Sequence, residues 1–150
     1  MKSIVYSLDT LDTAVEKIYG LLDTCSVFTF TGNVGAGKTT FIKRLLHKCQ
    51  VEGVVTSPTF TYVVQYTNNQ GQIFYHYDLY RISEQAEFFR AGLDEFLYQP
   101  NSWSFIEWPE LIMPLVTERA CYIILDYYGE QERKLSYSFS RDIPHDIYVG

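Results

Sequence analysis

The segment 32–39, Gly-Asn-Val-Gly-Ala-Gly-Lys-Thr, limits the possible folds of this chain more than any other feature. It matches the pattern GxxxxGK followed by Ser or Thr, which requires a strand before it and a helix after it. Residues 26–31 are rich in β-branched and aromatic side chains, and residues 38–49 carry apolar side chains at helical spacing. We therefore predict a phosphate-binding loop between a buried strand and a helix.

This loop indicates which residues bind the nucleotide. The glycines let successive backbone N–H groups converge on phosphate oxygens, and the following helix adds its positive N-terminal end. Lys38 would reach the β- and γ-phosphates, and the Thr39 hydroxyl would ligate Mg²⁺. The candidate nucleotide-binding residues are Asn33, Val34, Gly35, Ala36, Gly37, Lys38, Thr39 and Thr40.

Two carboxylates complete the set of candidate catalytic residues, which is Lys38, Asp78 and Glu107. Asp78 follows the extended run 73–77, and Glu107 follows the run 103–106. Ligands of open α/β sheets bind at the carboxyl ends of the strands, and phosphoryl transfer needs acidic groups there. Two other interpretations are open, in which Asp78 is a turn or cap residue and Glu107 is a surface acid.

The remaining pattern predicts an α/β fold, a P-loop NTPase-like sandwich with a mixed central sheet flanked by helices. Two extended runs, 60–66 and 73–77, are separated by a turn-rich segment and predict a β-hairpin. Further strands are predicted at 4–6, 54–56, 103–106, 120–125 and 134–139, and further helices at 9–22, near 92 and at 111–116. The 150 residues suit a single domain, 1–150, with a loosely ordered tail at about 141–150.

Composition excludes several classes of function. The net charge of −6 argues against a broad electrostatic contact with nucleic acid, so a partner is expected to hold any RNA. No apolar run reaches the roughly 18 residues that a membrane span needs. Three scattered cysteines are too few for a disulfide framework. We expect a cytoplasmic protein with free thiols and no membrane contact.

Four motifs in this order resemble the TsaE family, also known as the YjeE family, of ATPases in bacterial tRNA threonylcarbamoyladenosine biosynthesis. They are Gly-Ala-Gly-Lys-Thr-Thr at 35–40, Thr-Ser-Pro-Thr-Phe-Thr at 56–61, His-Tyr-Asp-Leu-Tyr-Arg at 76–81 and Ile-Glu-Trp-Pro at 106–109. The first motif is common to many ATPases, whereas the other three in this order and spacing are specific. The resemblance extends over nearly the whole chain.

The resemblance implies a Mg²⁺-dependent site for ATP and ADP. In that site Thr39 and Glu107 would be the Mg²⁺ ligands, and Asp78 would be an essential acid near the γ-phosphate. Residues 57–61 would form a switch-like loop over the nucleotide, and Trp108 would lie beside the site. Adenine would be held partly by the segment between the first strand and the first helix.

The resemblance also implies partner proteins, namely TsaB and TsaD homologues. TsaD transfers the threonylcarbamoyl group to adenosine 37 of tRNAs that read ANN codons, which gives t6A37. A chain of this family would hydrolyse ATP, slowly when alone, to reset that complex between turnovers. It would contact tRNA only indirectly, through the partners.

This sequence departs from the family pattern at two places. Asn33 stands where the family usually has an acidic residue, which removes a negative charge beside the phosphates and leaves metal ligation untouched. A basic residue expected near the last hairpin is matched ambiguously by Arg133 or Lys134. Whether Arg133, Lys134 or neither residue contacts the nucleotide is left open.

Two other functions are considered. A small-molecule kinase would need clustered arginines on a lid. The arginines that follow the predicted helix at 38–49 are scattered, at positions 81, 90, 119, 133 and 141. An interaction module would hold the nucleotide as a structural ligand.

Arg81 has two interpretations, a transition-state charge or an ion pair with a neighbouring acid such as Glu84. Trp108 also has two, a nucleotide contact or a buried anchor of the sheet edge.

Overall fold

The structure is a computed structural model that describes residues 1–58 and 61–143. In these residues the chain forms seven strands, which are β1 (Lys2–Ser7), β2 (Val27–Thr31), β3 (Val63–Thr67), β4 (Ile73–Asp78), β5 (Ser102–Glu107), β6 (Ala120–Tyr128) and β7 (Glu132–Phe139). The α-helices are α1 (Leu11–Tyr19), α2 (Lys38–Lys48) and α3 (Gln85–Arg90). Short 3-10 segments lie at Leu8–Thr10, Leu93–Phe96, Glu110–Leu115 and Ser140–Asp142.

The strands form one mixed sheet in the order β1-β7-β6-β2-β5-β4-β3. β2 runs parallel to both β5 and β6, and β5 runs parallel to β4. The pairs β1–β7, β6–β7 and β3–β4 are antiparallel, so each edge strand, β1 or β3, runs antiparallel to its neighbour. The predicted mixed sheet and the predicted hairpin at β3–β4 are therefore confirmed.

Helices cover both faces of the sheet, which gives the predicted α/β sandwich. One hydrophobic cluster joins α1 and α2 to the sheet through Ile18, Phe41 and Phe105, all fully buried. A second cluster on the opposite face includes Tyr77, Phe88 and Ile106. Successive side chains of a strand point to opposite faces, and Phe105 and Ile106 accordingly fall in different clusters. The apolar side chains of the parallel strands thus fix the sheet between two helical layers.

The predicted strand at 54–56 is wrong. Val54 is 83% exposed, and the nearest strand-like pairing is an isolated bridge between Val51 and Asn68. The Thr56 N–H donates to the Tyr66 hydroxyl at 3.0 Å, and that hydroxyl donates to the Thr56 carbonyl at 2.7 Å. A tyrosine side chain therefore satisfies the backbone that a neighbouring strand would otherwise bond.

Some predictions fall partly outside the described residues. Thr59 and Phe60 belong to the predicted loop 57–61, and residues 144–150 belong to the predicted tail. The prediction of a loosely ordered tail and that of a single domain stay predictions. Within residues 1–58 and 61–143, no helix has the length and apolarity that a membrane crossing requires.

Candidate functional site

A cavity of about 420 Å³ opens where the loop after β2 meets the carboxyl ends of β4 and β5. Its volume is in the range of small-molecule sites. The loop, the first turn of α2 and both carboxylates contribute to it. Its lining residues are Val34, Gly35, Gly37, Lys38, Thr39, Thr40, Asp78, Tyr80, Glu107 and Trp108.

The predicted phosphate loop lies between β2 and α2, and its conformation depends on glycine. Gly35 and Gly37 have φ angles of 84° and 98°, in the left-handed region that glycine adopts without a steric penalty. A Cβ on Gly32 would lie 2.5 Å from the carbonyl oxygen of Leu125. The loop therefore needs glycine at two positions for backbone geometry and at Gly32 for contact with β6.

Lys38 begins α2 and is 5% exposed. Its ammonium group donates to the backbone carbonyl of Gly32 and, at 3.1 Å, to that of Asn33. The same group lies 4.0 Å from the centre of the Trp108 ring. Burial lowers the pKa of Lys38, and the negative charge of Glu107 is the main opposing influence. Trp108 is half-buried and lines the cavity, so it lies beside the site as the resemblance implied.

Glu107 ends β5 and is 3% exposed, so the alternative that it is a surface acid is wrong. Its Oε1 accepts a hydrogen bond of 2.7 Å from the Thr39 hydroxyl in the first turn of α2. Its Oε2 lies 2.7 Å from Nε2 of His76. Both carboxylate oxygens are thus engaged, one from the loop side and one from the sheet.

Asp78 ends β4 and is aligned with Glu107 in the parallel β4–β5 register. Burial raises the pKa of Asp78, and the nearby carboxylate of Glu107 acts in the same direction. The Tyr80 N–H donates to its Oδ1 at 3.1 Å. Asp78 therefore has the turn role that was considered as an alternative while its side chain also lines the cavity.

The donor set fits Mg²⁺. A hydroxyl and a carboxylate oxygen are the ligand types that this ion accepts, usually with one or two carboxylates from the protein. Mg²⁺ holds its ligands at about 2.1 Å in octahedral geometry, so neighbouring ligand oxygens lie about 3 Å apart. Thr39 Oγ1 and Glu107 Oε1 are 2.7 Å apart. A small widening of this contact would admit the ion between them.

The sequence interpretation missed His76. It is fully buried and contacts Glu107, yet the sequence analysis placed it in a family motif and did not count it among the site residues. The signal was present, because His76 stands two residues before Asp78 in a strand and hence on the same face. A polar side chain at that position of an otherwise apolar and aromatic strand indicates a link to the site.

A second cavity of about 230 Å³ adjoins the first and includes the segment between β1 and α1. Tyr6, Ser7, Leu8 and Leu11 form one wall, and Arg133 of β7 forms part of the other. Arg133 Nε donates to the Ala36 carbonyl at 3.3 Å. Of the two basic candidates near the last hairpin, Arg133 is therefore the one that reaches the phosphate loop.

Arg81 lies in an adjoining cavity with Asp78, Thr39 and Ser57. Glu84 forms its ion pair with Arg90, at 3.0 Å, and this is not the Arg81 pair that was considered. Pro58 also lines this cavity, whereas Thr59 and Phe60 lie outside the described residues. The predicted switch-like loop stays a prediction.

Residues 5–135 match the model of the family described as threonylcarbamoyl adenosine biosynthesis protein TsaE. This chain belongs to the TsaE family. The match includes every residue of the 420 Å³ cavity, so the TsaE resemblance seen in the four motifs is confirmed.

Relatives from several bacteria support the same family. Each is named tRNA threonylcarbamoyladenosine biosynthesis protein TsaE. The Bacillus subtilis protein is 34% identical over 75% of this chain and 68% of its own length, and the Haemophilus influenzae protein is 35% identical over 66% and 61%. The Treponema pallidum protein is 32% identical over 77% of this chain and 84% of its own length. The Haemophilus alignment thus spans less than two thirds of that relative.

A solved structure supports the fold. The crystal structure of YdiB from Bacillus subtilis matches 99% of this chain and 92% of its own chain with a TM-score of 0.66, at 24% identity. At this identity the likeness establishes the architecture. The α/β sandwich with a mixed sheet is therefore common to both molecules.

Proposed function

We propose that this chain is a P-loop ATPase required for forming the threonylcarbamoyl group on adenosine 37 of tRNAs that read ANN codons. It acts in the cytoplasm with TsaB and TsaD homologues, by binding and hydrolysing ATP. One observation carries the enzymatic part of this proposal. Lys38, Thr39, Asp78 and Glu107 come from three separate parts of the chain and line one cavity.

The residues of the cavity have separate roles in this reaction. The backbone N–H groups of residues 33–40 hold the phosphates at the start of α2, where the helix end favours negative charge. Lys38 leaves the loop carbonyls for the β- and γ-phosphate oxygens, where its charge stabilises the transition state. Asp78 also lines the cavity and orients the attacking water.

Thr39 and Glu107 would hold Mg²⁺ between the first turn of α2 and the end of β5. When bound, the ion neutralises the charge that develops on the phosphates. The Thr39 hydroxyl oxygen, which donates to Glu107 here, would offer its lone pair to the ion. The 2.7 Å separation of the two oxygens supports this assignment, because little movement is needed.

The second cavity suits the adenine and ribose of ATP or ADP. It shares Gly35, Gly37 and Thr40 with the phosphate cavity, so one nucleotide can extend through both. Tyr6 and Leu11 offer apolar surface for a flat base. Arg133 lies at the loop side, where it can contact the nucleotide.

ATP hydrolysis by this chain serves a complex that it forms with TsaB and TsaD. TsaD performs the transfer to tRNA, and ATP hydrolysis by this chain resets the complex between turnovers. No cluster of arginines lies in the cavity within the described residues, and a net charge of −6 disfavours direct RNA binding. We therefore expect the chain to hydrolyse ATP slowly when it is alone. We also expect it to contact tRNA only through its partners.

ATP turnover measured with and without TsaB and TsaD homologues tests the proposal. We expect slow, Mg²⁺-dependent phosphate release by the chain alone and a higher rate in the complex, with t6A37 formation lost when the chain is omitted. Co-purification in ATP, ADP and nucleotide-free states reports which state assembles. Equal, fast rates alone and in the complex would contradict the role in the assembly.

The alternatives predict different results. A small-molecule kinase would give a phosphorylated product from labelled ATP and a metabolite pool. Its arginine lid has little support, since Arg90 is paired with Glu84 and Arg141 lies over the Phe139 ring. An interaction module would keep its function when Asp78 or Glu107 is replaced, and it would unfold when Lys38 is replaced.

A further inference from the structure

His76 is a buried polar residue, and Glu107 is the hydrogen-bond partner of one of its two ring nitrogens. It lies in the middle of β4 between Tyr75 and Tyr77 and is fully buried. Its Nε2 contacts the Glu107 carboxylate at 2.7 Å, and its Nδ1 has no hydrogen-bond partner within the described residues. A buried polar atom without a partner is unfavourable by about 1–3 kcal/mol. The histidine is therefore retained despite an unsatisfied ring nitrogen.

The geometry fixes the tautomer of His76. An ionised carboxylate only accepts hydrogen bonds, so the ring nitrogen that faces Glu107 carries a proton. The tautomer with its proton on Nε2 leaves a lone pair at Nδ1, whereas the opposite tautomer would bury an unpaired N–H and place two acceptors face to face. His76 therefore donates from Nε2 to Oε2 of Glu107.

The bond divides the two oxygens of Glu107 between two tasks. Oε2 is held by the sheet through His76, and Oε1 faces Thr39 and the cavity. His76 and Glu107 lie on neighbouring parallel strands, so the donor stands on a rigid element. The carboxylate cannot rotate about its last bond without losing the His76 bond. Oε1 is thereby kept pointing at the place assigned to the metal.

We propose that His76 is a positioning residue that holds Glu107 as a monodentate ligand, with Oε1 presented to Mg²⁺. The inference rests on the proposed Mg²⁺–nucleotide function of the cavity. His76 contacts neither nucleotide nor metal; it acts through Glu107. Hydrogen-bond partners of metal ligands typically contribute 10- to 100-fold in metal affinity or activity.

A pair of variants tests the proposal through binding. His76→Phe removes the donor and keeps a flat ring, while His76→Gln keeps an N–H donor on a side chain of similar reach. Tyr77→Phe is the matched control, because it removes a buried hydrogen bond of the same strand, to the Leu93 carbonyl, on the opposite face of the sheet. Calorimetric titration of ADP is carried out in EDTA and at increasing Mg²⁺.

We expect His76→Phe to raise the Mg²⁺ concentration for half-maximal effect on ADP binding by about 10-fold or more. His76→Gln should raise it by about 3-fold or less, because the donor is restored. ADP affinity in EDTA should be unchanged in all variants, since the loop N–H groups and Lys38 supply it. Tyr77→Phe should match the wild type in both conditions.

Two results would overturn the positioning role. One is an unchanged Mg²⁺ dependence in His76→Phe. The other is an equal loss of ADP affinity with and without Mg²⁺, which indicates a structural role. If His76→Phe does not fold, His76→Asn is used in its place and compared with His76→Gln. The shorter Asn side chain cannot reach Glu107. A wild-type chain that binds ADP without any response to Mg²⁺ would instead contradict the proposed function itself.

Discussion

The proposed phosphate half and the proposed metal half of the site are built in different ways. The phosphate half is eight consecutive residues, 32–39, whose shape follows from local glycine geometry. The metal half joins Thr39 to Glu107 across 68 positions and Glu107 to His76 across 31. The first half depends on local backbone conformation, whereas the second depends on which strands are neighbours and in what register.

If the proposed function holds, we expect substitutions to separate phosphate binding from metal binding. A change in the sheet that spares the loop should leave nucleotide affinity in place while hydrolysis fails. A change in the loop glycines should act on folding and binding together, because the loop packs on β6 through Gly32. The following variants test this division, from the largest expected effect to the smallest.

Replacing Glu107 with Gln should separate the halves most clearly. The amide keeps the shape but loses the charge that we assign to Mg²⁺ binding, so we expect turnover to fall about 100-fold or more. ADP affinity in EDTA should change little. Phosphate release and calorimetry measure the two quantities, with exposed Glu118→Gln as the control. Parallel losses of turnover and metal-free affinity would mean that the two halves are not independent.

Replacing Gly32 with Ala tests how the loop is supported. The added Cβ would lie 2.5 Å from the Leu125 carbonyl oxygen and 3.3 Å from the Ala36 Cβ, so the free energy of unfolding should fall by about 1–3 kcal/mol. Gly53→Ala is the comparison, since its φ of +85° adds strain in open space, about 1 kcal/mol. Urea unfolding measures both. A Gly32 variant no less stable than the Gly53 variant would contradict the contact with β6.

Replacing Arg133 with Met tests whether a third element contributes to the phosphate half. Its guanidinium lies 4.4 Å from the Tyr127 ring and bonds the Ala36 carbonyl. We expect ADP affinity to fall about 3- to 10-fold, the range of an exposed cation–π or hydrogen-bond contact. Lys134→Met is the control, because its side chain points to the other face of β7. An equal loss of ADP affinity in both variants would mean that the change in net charge, and not the Arg133 contact, causes the loss.

Replacing Asp78 with Asn should raise stability while it lowers turnover. Burial raises the pKa of Asp78, so the folded state disfavours the ionised carboxylate, and this penalty is fully present above the raised pKa. It fades as the pH falls through the raised pKa toward the ordinary 3.8. We expect Asp78→Asn to raise the free energy of unfolding at neutral pH by an amount near the low end of about 0.5–2 kcal/mol, because Asp78 is partly exposed.

Thermal unfolding of this variant from pH 7 to pH 4 checks the sign. The gain in stability should shrink toward the acid end, and exposed Asp126→Asn is measured alongside as the control. A gain that grows on acidification would contradict the burial of the Asp78 carboxylate.

Local signals explain which parts of the fold could be predicted. The strand, loop and helix at β2 and α2 are contiguous, and the motif indicates all three together. Asp78 and Glu107 could be placed at strand ends because each follows an extended apolar run. Their side-by-side register could not be predicted, since it depends on β4 and β5 being neighbours.

Two failures have the same physical origin. The strand expected at 54–56 had β-branched residues but no partner strand, and the Tyr66 hydroxyl took that place. His76 was not identified as a site residue because its role exists only through Glu107 on another strand. Propensity describes a residue alone, whereas both outcomes depend on a distant neighbour.

The parallel pairing of β4 with β5 has a consequence for how this chain tolerates changes in length. The crossover between them, residues 79–101, carries α3 and a 3-10 segment and contains neither carboxylate. Loop closure depends weakly on length, so residues could be added at an exposed turn there at little expense in stability. A single residue inserted within β4 or β5 would turn one carboxylate to the opposite face. Length variation is thus permitted between the strands and forbidden inside them.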